Sequence, residues 1–303
     1  MKRLPVTKTP KVFVGGAFIR SESGRTLPVR DGAGALLGNV PQCTRKDLRN
    51  AVEAAAKAGP GWARRTAYNR GQILYRMGEM IEARAAELAE SLEAGAAVAG
   101  THGSNGARTG GKAGGSKAAA REVAATVDRL IYYAGWADKY EQVLGNVNPV
   151  ASPHFNFTVT EPMGVIGVLA PEAPALLGLI TLIAPVIVSG NTVVALVSEA
   201  RPFPSILLGE MLATSDLPGG VVNLLTGFRK EMLPTFATHT HLRAISASAT
   251  PEERKAIRTG AAESVKRTHF TEPELDWFGD EAQSLYAVRD FIEFKTTWHP
   301  IGA

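Results

Sequence analysis

The sequence predicts an α/β fold in which helices flank a parallel sheet, with a small separate group of strands. Continuous apolar segments at residues 165–169, 192–196 and 221–225 alternate with segments of helix length, and 242–245 adds a fourth strand. Strands that are apolar on both faces and separated by helices are typical of a buried parallel sheet. The alternation therefore predicts a Rossmann-like domain, although the pattern alone names no ligand.

The residues before this sheet predict a hairpin and three helices. Two short apolar segments joined by glycines give a hairpin at 12–19. A capping-box pattern at Thr44 predicts a helix that ends near residue 58. Apolar residues at intervals of three and four predict a second helix over 69–92, and helical character returns over 117–140.

Between these helices, residues 95–117 are rich in glycine and small polar side chains. Such a segment buries too little apolar surface to offset its ordering entropy, which predicts a mobile loop. Within it, the sequence GARTGGK at 106–112 imitates a phosphate-binding loop. However, Ala113 follows where Ser or Thr is required, and no strand precedes the motif. We therefore interpret it as part of the loop.

Two segments outside the sheet predict a small β subdomain. Residues 141–161 are extended and polar, with alternating apolar side chains at Phe155, Phe157 and Val159. Residues 291–298 form a second alternating strand. A single terminal strand needs a partner, which lies either in this chain or in another subunit.

Composition and charge exclude several classes of protein. The 303 residues carry 33 basic and 29 acidic side chains, with no basic stripe of the kind that binds nucleic acid. The single cysteine excludes a disulfide framework and a cysteine-based metal cluster within these residues. The basic N-terminal residues are followed by no apolar signal region, and the longest apolar stretch, 175–188, is too short to span a bilayer. We expect a cytoplasmic protein.

The turns at the strand ends do not favour a phosphate. At 170–174, where a dinucleotide turn would carry glycines, two prolines remove amide donors and Glu172 adds negative charge. After the fourth strand, Thr250 and Pro251 predict the capped start of a helix whose first turn contains two carboxylates. Those carboxylates would also repel a phosphate.

Other candidate residues for chemistry are isolated. His239 and His241 have no further Asp, Glu or Cys at ligand spacing, so we expect no metal site. The helix start beside Cys43 would lower the pKa of its thiol, but no histidine is near in sequence, and we expect no catalytic role. The sequence contains no Gly-x-Ser-x-Gly nucleophile elbow.

Most of the chain resembles the aldehyde dehydrogenase family. Segments that keep the family's order and spacing are VGG (14–16), RG (70–71), YYAGWAD (132–138), EPMGVIG (161–167), IAP (183–185), GNTVV (190–194), LPGGVVN (217–223), TGF (226–228) and EFKT (293–296). The resemblance covers residues 11–268 and 288–298. It implies a cofactor-type domain in 1–140 and 162–268, and oligomerisation strands in 141–161 and 288–303.

The functional positions that the resemblance implies are mostly altered. The family's Pro-Trp-Asn, whose asparagine helps to stabilise the oxyanion, falls on Pro171, Glu172 and Ala173. The lysine that binds the cofactor ribose is replaced by Leu196, whereas the nearby Glu199 is retained. Further along, Arg229 replaces the glycine after Thr-Gly-Phe, and Ala249 replaces the glycine of a Phe-Thr-Gly-Ser turn. We therefore expect no bound cofactor, with NAD as the less favoured alternative.

The catalytic domain of the family is missing between the last two predicted strands. Family members continue from the fourth βα unit into a Glu-Leu-Gly-Gly segment with the general base, then into a domain with the nucleophilic cysteine. After Arg267 this chain reads THFTEPEL and soon reaches its last strand. Covalent aldehyde oxidation needs both a thiolate and a base, so we expect the chain to be inactive alone. The pattern resembles the second, shortened module of family-16 aldehyde dehydrogenases.

These observations lead to one expectation and two alternatives. The resemblance implies a non-catalytic homologue that acts as a structural or regulatory subunit, pairing with a full-length aldehyde dehydrogenase or with itself. Glu199 and the intact sheet support an alternative, an NAD-binding subunit that contributes to an active site shared with a partner. A scaffold for nucleic acid or a metabolite is a third reading, which rests only on the pI of about 9.2 and the glycine-rich segment.

Overall fold

The computed structural model describes residues 9–31, 34–96 and 112–302. Its helices are α1 Arg45–Ala63, α2 Ala67–Ala83, α3 Ala85–Ala96, α4 Lys112–Trp136, α5 Tyr140–Leu144, α6 Leu177–Val188, α7 Phe203–Leu212, α8 Arg229–Thr238, α9 Pro251–Ala262 and α10 Leu285–Arg289. Its strands are β1 Val12–Val14, β2 Ala17–Ile19, β3 Thr26–Arg30, β4 Leu36–Pro41, β5 Asn146–Asn148, β6 His154–Pro162, β7 Val165–Leu169, β8 Thr192–Leu196, β9 Val222–Leu225, β10 Leu242–Ala247, β11 Arg267–Phe270 and β12 Ile292–Pro300.

The central sheet confirms the predicted α/β fold. It has seven strands in the order β11-β10-β7-β8-β9-β1-β2. The five strands from β11 to β9 are parallel, and the hairpin β1–β2 adds to the edge in antiparallel orientation. Every residue of β7, β8 and β9 is buried, because helices cover both faces of the sheet.

Two apolar clusters lie on opposite faces of this sheet. One includes α6, which is buried along its whole length, and the apolar sides of α2, α4 and α7. The other includes α1, α8 and α9. Trp62 at the end of α1 is 1% exposed, and its indole N–H donates to the carbonyl oxygen of Ile187 at 2.9 Å, which ties α1 to the end of α6. Within the described ranges, no helix is long and apolar enough to cross a bilayer.

Two of the motif glycines are explained by close packing. Gly16, in the β1–β2 turn, has a positive φ of 81°, and a Cβ built there would lie 2.7 Å from the Cα of Gly219. Gly219 belongs to the loop before β9. Since each residue leaves no room for a side chain on the other, these glycines dock the hairpin against the sheet.

Several predicted boundaries change. The helix predicted over 69–92 is two helices, because the chain turns at Arg84 without interrupting the apolar periodicity. Helix α4 begins at Lys112, earlier than predicted, while residues 97–111 of the predicted loop and most of its GARTGGK motif lie outside the described residues. The chain is helical over Tyr140–Leu144, where an extended segment was predicted.

The terminal strand finds its partner within this chain. The small sheet has the order β12-β6-β5, and β12 pairs with β6 along its whole length, from Ile292 opposite Pro162 to Pro300 opposite His154. The strand β11, which the sequence did not predict, extends the main sheet beside β10.

The connection from β11 to β12 consists of residues 271–291 and crosses the helical face of the domain. The guanidinium of Arg129 on α4 fixes this segment by donating to the carbonyl oxygens of Trp277 and Ala282. The hydroxyl of Tyr133 accepts from the backbone N–H of Ser284 at 3.4 Å, and the guanidinium of Arg121 lies 4.4 Å from the ring centroid of Phe278. The short connection therefore packs as an integral part of the fold.

Candidate functional site

The carboxyl ends of β7 and β10 border the crevice at which open α/β sheets bind ligands. The chain proceeds from β7 through β8 to β9, then returns to β10 on the other side of β7. Connections diverge at that point, and the divergence creates a binding crevice beyond the strand ends. The candidate residues Glu172, Ala173, Leu196, Arg229 and Ala249 all lie at or just after the ends of these parallel strands.

Glu172, in the turn after β7, folds back over the loop that follows β8. Its carboxylate accepts hydrogen bonds from the hydroxyl of Ser198 at 2.8 Å and from the backbone N–H of Ala200 at 2.9 Å. The second carboxylate oxygen accepts from the N–H of Glu199 at 3.3 Å. The backbone amides of Glu199 and Ala200 are therefore bonded to a carboxylate of the chain itself.

Glu199 lies on the surface beside this turn. Its side chain is exposed, and one carboxylate oxygen accepts from the backbone N–H of Arg229 at 2.9 Å. The residue borders a cavity of about 290 Å³ whose other walls include Pro202, Phe228 and the hairpin β3–β4. A carboxylate at this position can accept hydrogen bonds from sugar hydroxyls.

Arg229, the first residue of α8, extends its side chain across the crevice. Its Nη1 donates to the carbonyl oxygen of Ala170 beyond β7 at 2.8 Å, and its Nη2 donates to the carbonyl oxygen of Ser248 beyond β10. Its Nε donates to the carboxylate of Glu253 on α9 at 2.7 Å. One guanidinium thus bridges the two strand ends and joins α8 to α9.

Glu253 has two functions, of which the sequence indicated only one. Its Oε2 accepts from the backbone N–H of Thr250 at 3.0 Å, which forms a capping box at the predicted start of α9. Its Oε1 accepts from Arg229, which the sequence did not predict because the two residues are 24 positions apart. The signal available in the sequence was Arg229 itself, a cation that replaces glycine beside a strand end and therefore needs a partner of opposite charge.

The other altered positions offer little chemistry. Leu196 is 1% exposed and packs in the apolar cluster beneath the crevice. Ala173 is exposed and has no donor side chain. Ala249 borders a separate cavity of about 400 Å³ whose walls include Arg254 and Arg258 of α9. The structure therefore brings Glu172, Glu199 and Arg229 together and leaves Leu196 outside the group.

Cys43 does not present a thiolate to the crevice. The side chain is completely buried among α1 and strand residues. Burial, with a smaller contribution from the negative charge of Asp47, raises the pKa of the thiol to about 12. The helix start does not lower this pKa, because desolvation is the larger effect.

The two histidines after α8 lie side by side without forming a metal centre. The ring centroids of His239 and His241 are 5.9 Å apart, and burial lowers the pKa of His239. Among the residues that the structure describes, no group of three or more His, Cys, Asp or Glu side chains could hold a metal ion.

An open groove of about 970 Å³ lies between α2 and α4. Its walls contain none of the residues that follow β7, β8, β9 or β10. Size alone therefore does not identify the functional region, and we place the candidate site at the strand ends on topology.

Comparisons with known proteins identify the family of this chain. The model of the aldehyde dehydrogenase family matches residues 18–272. This chain belongs to the aldehyde dehydrogenase family. Retinal dehydrogenase 2 of Gallus gallus is 32% identical over 289 residues, which cover 93% of this chain and 51% of that protein. The aldehyde dehydrogenase of Alternaria alternata is 30% identical over 287 residues, covering 93% of this chain and 53% of that protein.

Solved structures share the fold. HpcC from Thermus thermophilus is 30% identical with a TM-score of 0.76, and the match covers 87% of this chain and 48% of that one. The NAD⁺ complex of the Bacillus cereus aldehyde dehydrogenase is 25% identical with a TM-score of 0.77, covering 87% of this chain and 50% of that one. The chain spans about half the length of the aldehyde dehydrogenases that it matches.

The expectation that this aldehyde dehydrogenase homologue takes no cofactor is wrong. It rested on side-chain changes at single positions, whereas the family match and the NAD⁺ complex of the Bacillus cereus relative connect this fold with the dinucleotide. The physical reason is that backbone geometry at the strand ends forms much of such a site, and this geometry persists when individual side chains change.

Proposed function

We propose that this chain is an NAD-binding, non-catalytic homologue of aldehyde dehydrogenases that acts as a structural or regulatory subunit of a full-length enzyme. The observation that carries the proposal is the direct connection of β11 to β12 through residues 271–291. This connection contains no cysteine, and the one thiol in the sequence, Cys43, is buried and protonated at neutral pH. The proposal also includes the resemblance to the second, shortened module of family-16 aldehyde dehydrogenases.

Cofactor binding is supported by the family and by the surface of the crevice. Glu199 is exposed beside a cavity of about 290 Å³, where its carboxylate is available to ribose hydroxyls. Pro171 and Pro174 supply no amide donors, and Glu172 occupies those of the neighbouring loop. We therefore expect binding that is weaker than in a glycine-rich site. Isothermal titration calorimetry with NAD⁺ and NADH on the whole chain measures it, and an absence of heat at millimolar concentrations of both would contradict this part of the proposal.

The small sheet supports the subunit role. Within the described residues, the outer edges of β5 and β12 pair with no other strand. Large apolar side chains are exposed on this sheet, with Phe155 and Val159 on one face and Phe294 and Trp298 on the other. Unpaired edges beside exposed apolar side chains are liabilities that an additional strand or subunit covers.

Co-expression with full-length aldehyde dehydrogenases tests the subunit role. We expect co-purification, and light scattering coupled to size-exclusion chromatography should give the mass of a mixed assembly or of a self-assembly. The double variant Phe294→Asp and Trp298→Asp should abolish the assembly, since it places charges on the proposed interface. Tyr75→Asp on α2 is the matched control, because Tyr75 is equally exposed but lies on another surface. A monomer that joins none of the candidates would contradict the proposal.

The whole chain should not oxidise aldehydes by itself. Production of NADH from NAD⁺ and an aldehyde series should equal that of a Cys43→Ala variant and of buffer. Turnover that Cys43→Ala abolishes would show that the buried thiol becomes accessible, and it would overturn the non-catalytic assignment.

The exposure of Glu199 favours one alternative, in which the chain contributes to an active site shared with its partner. In that case Glu199→Gln should change kcat of the purified assembly without changing its mass. A purely structural subunit would leave kcat unaffected by this substitution.

A further inference from the structure

Arg229 lies at the entrance to the crevice between the ends of β7 and β10. Its side chain is 15% exposed, and it lies between the strand ends rather than on the outer surface. Its three guanidinium nitrogens all have acceptors: the carbonyl oxygens of Ala170 and Ser248, and the carboxylate of Glu253. The side chain is therefore fixed, with its planar head group in the space where the two connections diverge.

The same residue also engages the carboxylate beside the crevice. The backbone N–H of Arg229 donates to Glu199 at 2.9 Å. A carboxylate has two oxygens with several acceptor positions, so this bond leaves Glu199 able to accept from a sugar hydroxyl. A diphosphate entering between β7 and β10 would meet the guanidinium and would lie beside the carboxylate of Glu253. Arg229 therefore orients Glu199 through its backbone and occupies the entrance between the strand ends with its side chain.

The hydrogen-bond partners of Arg229 indicate that its side chain closes the crevice and is not arranged to bind a phosphate. An arginine that awaits a phosphate leaves its paired N–H groups directed into open space, because bidentate recognition needs two parallel donors. Here each terminal nitrogen already donates to a backbone carbonyl, on opposite sides of the crevice. A nucleotide that enters between the strand ends must therefore displace a guanidinium that is held on both sides.

We propose that the Arg229–Glu253 ion pair is a gate that closes the crevice and must open before the dinucleotide enters. This inference rests on the proposed cofactor binding and concerns its regulation. Opening rotates the Arg229 side chain away from Ala170 and Ser248, which frees the crevice and leaves the backbone bond to Glu199 unchanged. Only molecules with an open gate bind NAD⁺. The apparent affinity of the wild-type chain is therefore the affinity of the open state multiplied by the fraction of molecules that are open.

Calorimetric titration of NAD⁺ into the wild-type chain and three variants tests the gate. Arg229→Ala removes the obstruction, and we expect affinity to rise at least tenfold. Glu253→Gln weakens the hold on the guanidinium and should give a smaller rise. Arg76→Ala is the matched control, because the ion pair between Arg76 and Glu79 is solvent-exposed on α2. This variant should bind NAD⁺ with the same affinity as the wild type. Thermal unfolding checks that every variant is folded. If Arg229→Ala does not fold, Glu253→Gln still tests the gate, because it keeps the Arg229 side chain and removes only the charge of its partner.

The outcomes separate the gate from the cofactor binding on which it rests. Equal affinity in wild type and Arg229→Ala overturns the gate while cofactor binding stands. Weaker binding by Arg229→Ala also overturns it, because Arg229 would then hold the nucleotide. Binding by Arg229→Ala alone supports the gate and shows that the wild-type chain remains closed. If no variant binds NAD⁺, both the gate and the proposed cofactor binding are wrong.

Discussion

The guanidinium of Arg129 donates to the carbonyl oxygen of Ala282, a contact that joins α4 to the connection between β11 and β12. The same guanidinium donates to the hydroxyl of Thr181 at 2.9 Å and to the carbonyl oxygen of Trp277 at 3.0 Å. Arg129 is 3% exposed, and burial lowers its pKa. A buried cation therefore fastens residues 271–291 to the helical face.

Replacement of Arg129 should destabilise the whole chain. We expect Arg129→Met to lower the free energy of unfolding by about 3 kcal/mol, because it leaves two buried carbonyl oxygens without donors. Urea denaturation followed by circular dichroism measures the change.

The neighbouring Arg121 is the control for this prediction. Its guanidinium stacks on Phe278 at the surface, so Arg121→Met should cost less than about 1 kcal/mol. If both substitutions have the same small effect, the segment is held by apolar packing and Arg129 is not its anchor.

The thiol of Cys43 should make the fold sensitive to alkaline pH. Burial raises its pKa from 9.0 to about 12, so the folded chain retains the proton more tightly than the unfolded chain does. The resulting stabilisation is present below about pH 9 and is lost as the pH rises towards 12. At about pH 10.5 the loss should reach about 2 kcal/mol.

Comparison of wild type with Cys43→Ala isolates this effect. Burial also raises the pKa values of Tyr133 and Tyr140 to about 12, and their contribution is common to both proteins. Urea unfolding at pH 8 and at about pH 10.5 should show a smaller alkaline loss for Cys43→Ala. Equal losses would mean that the thiol ionises in the native state. The thiol should also react with a disulfide reagent only after unfolding.

The carboxylate of Glu172 should oppose the cofactor and stabilise the loop after β8. We expect Glu172→Gln to raise the affinity for NAD⁺ roughly threefold, since repulsion between a surface carboxylate and a phosphate is worth less than about 1 kcal/mol. The substitution also weakens the hydrogen bonds to Ser198 and Ala200, which should lower stability by about 1 kcal/mol.

Calorimetry and urea unfolding of the same preparations separate these two effects. Glu79→Gln, on the exposed side of α2, is the control and should leave NAD⁺ affinity unchanged. An unchanged affinity in Glu172→Gln would show that the turn after β7 lies outside the path of the cofactor.

The main sheet was predictable because its strands are buried on both faces. Uninterrupted apolar segments such as 165–169 and 192–196 have few alternatives to a covered parallel strand, and β7 and β8 lie at those residues. The cap of α9 was predictable for a local reason, since Thr250 and Glu253 satisfy each other across a single turn. By contrast, β11 is short and only partly buried, so no apolar run marked it.

The interruption between α2 and α3 was not predictable, because Arg84 turns the chain without disturbing the apolar spacing. The position of the first hairpin also depended on packing. The close approach of Gly16 to Gly219 and the pairing of Phe13 with Leu224 place the hairpin at the edge of the main sheet.

The candidate site also has features that the sequence predicted and features that it did not. The sequence identified Glu199 as a retained family position and Glu172 and Arg229 as altered ones. The prediction that no cofactor binds was wrong because each altered side chain was judged separately from the backbone of the site. The ion pair between Arg229 and Glu253 could not be predicted, since the pairing depends on how α8 and α9 converge over the strand ends.

The sequence by itself determined the family, the parallel sheet and the absence of a second thiol, because these follow from local patterns and residue counts. Only the tertiary structure decided that β12 pairs with β6 of the same chain, that Arg129 fastens the short connection, and that Arg229 bridges the crevice. The physical reason is that each of these contacts joins residues distant in sequence, and their geometry is set by the packing of whole helices and strands.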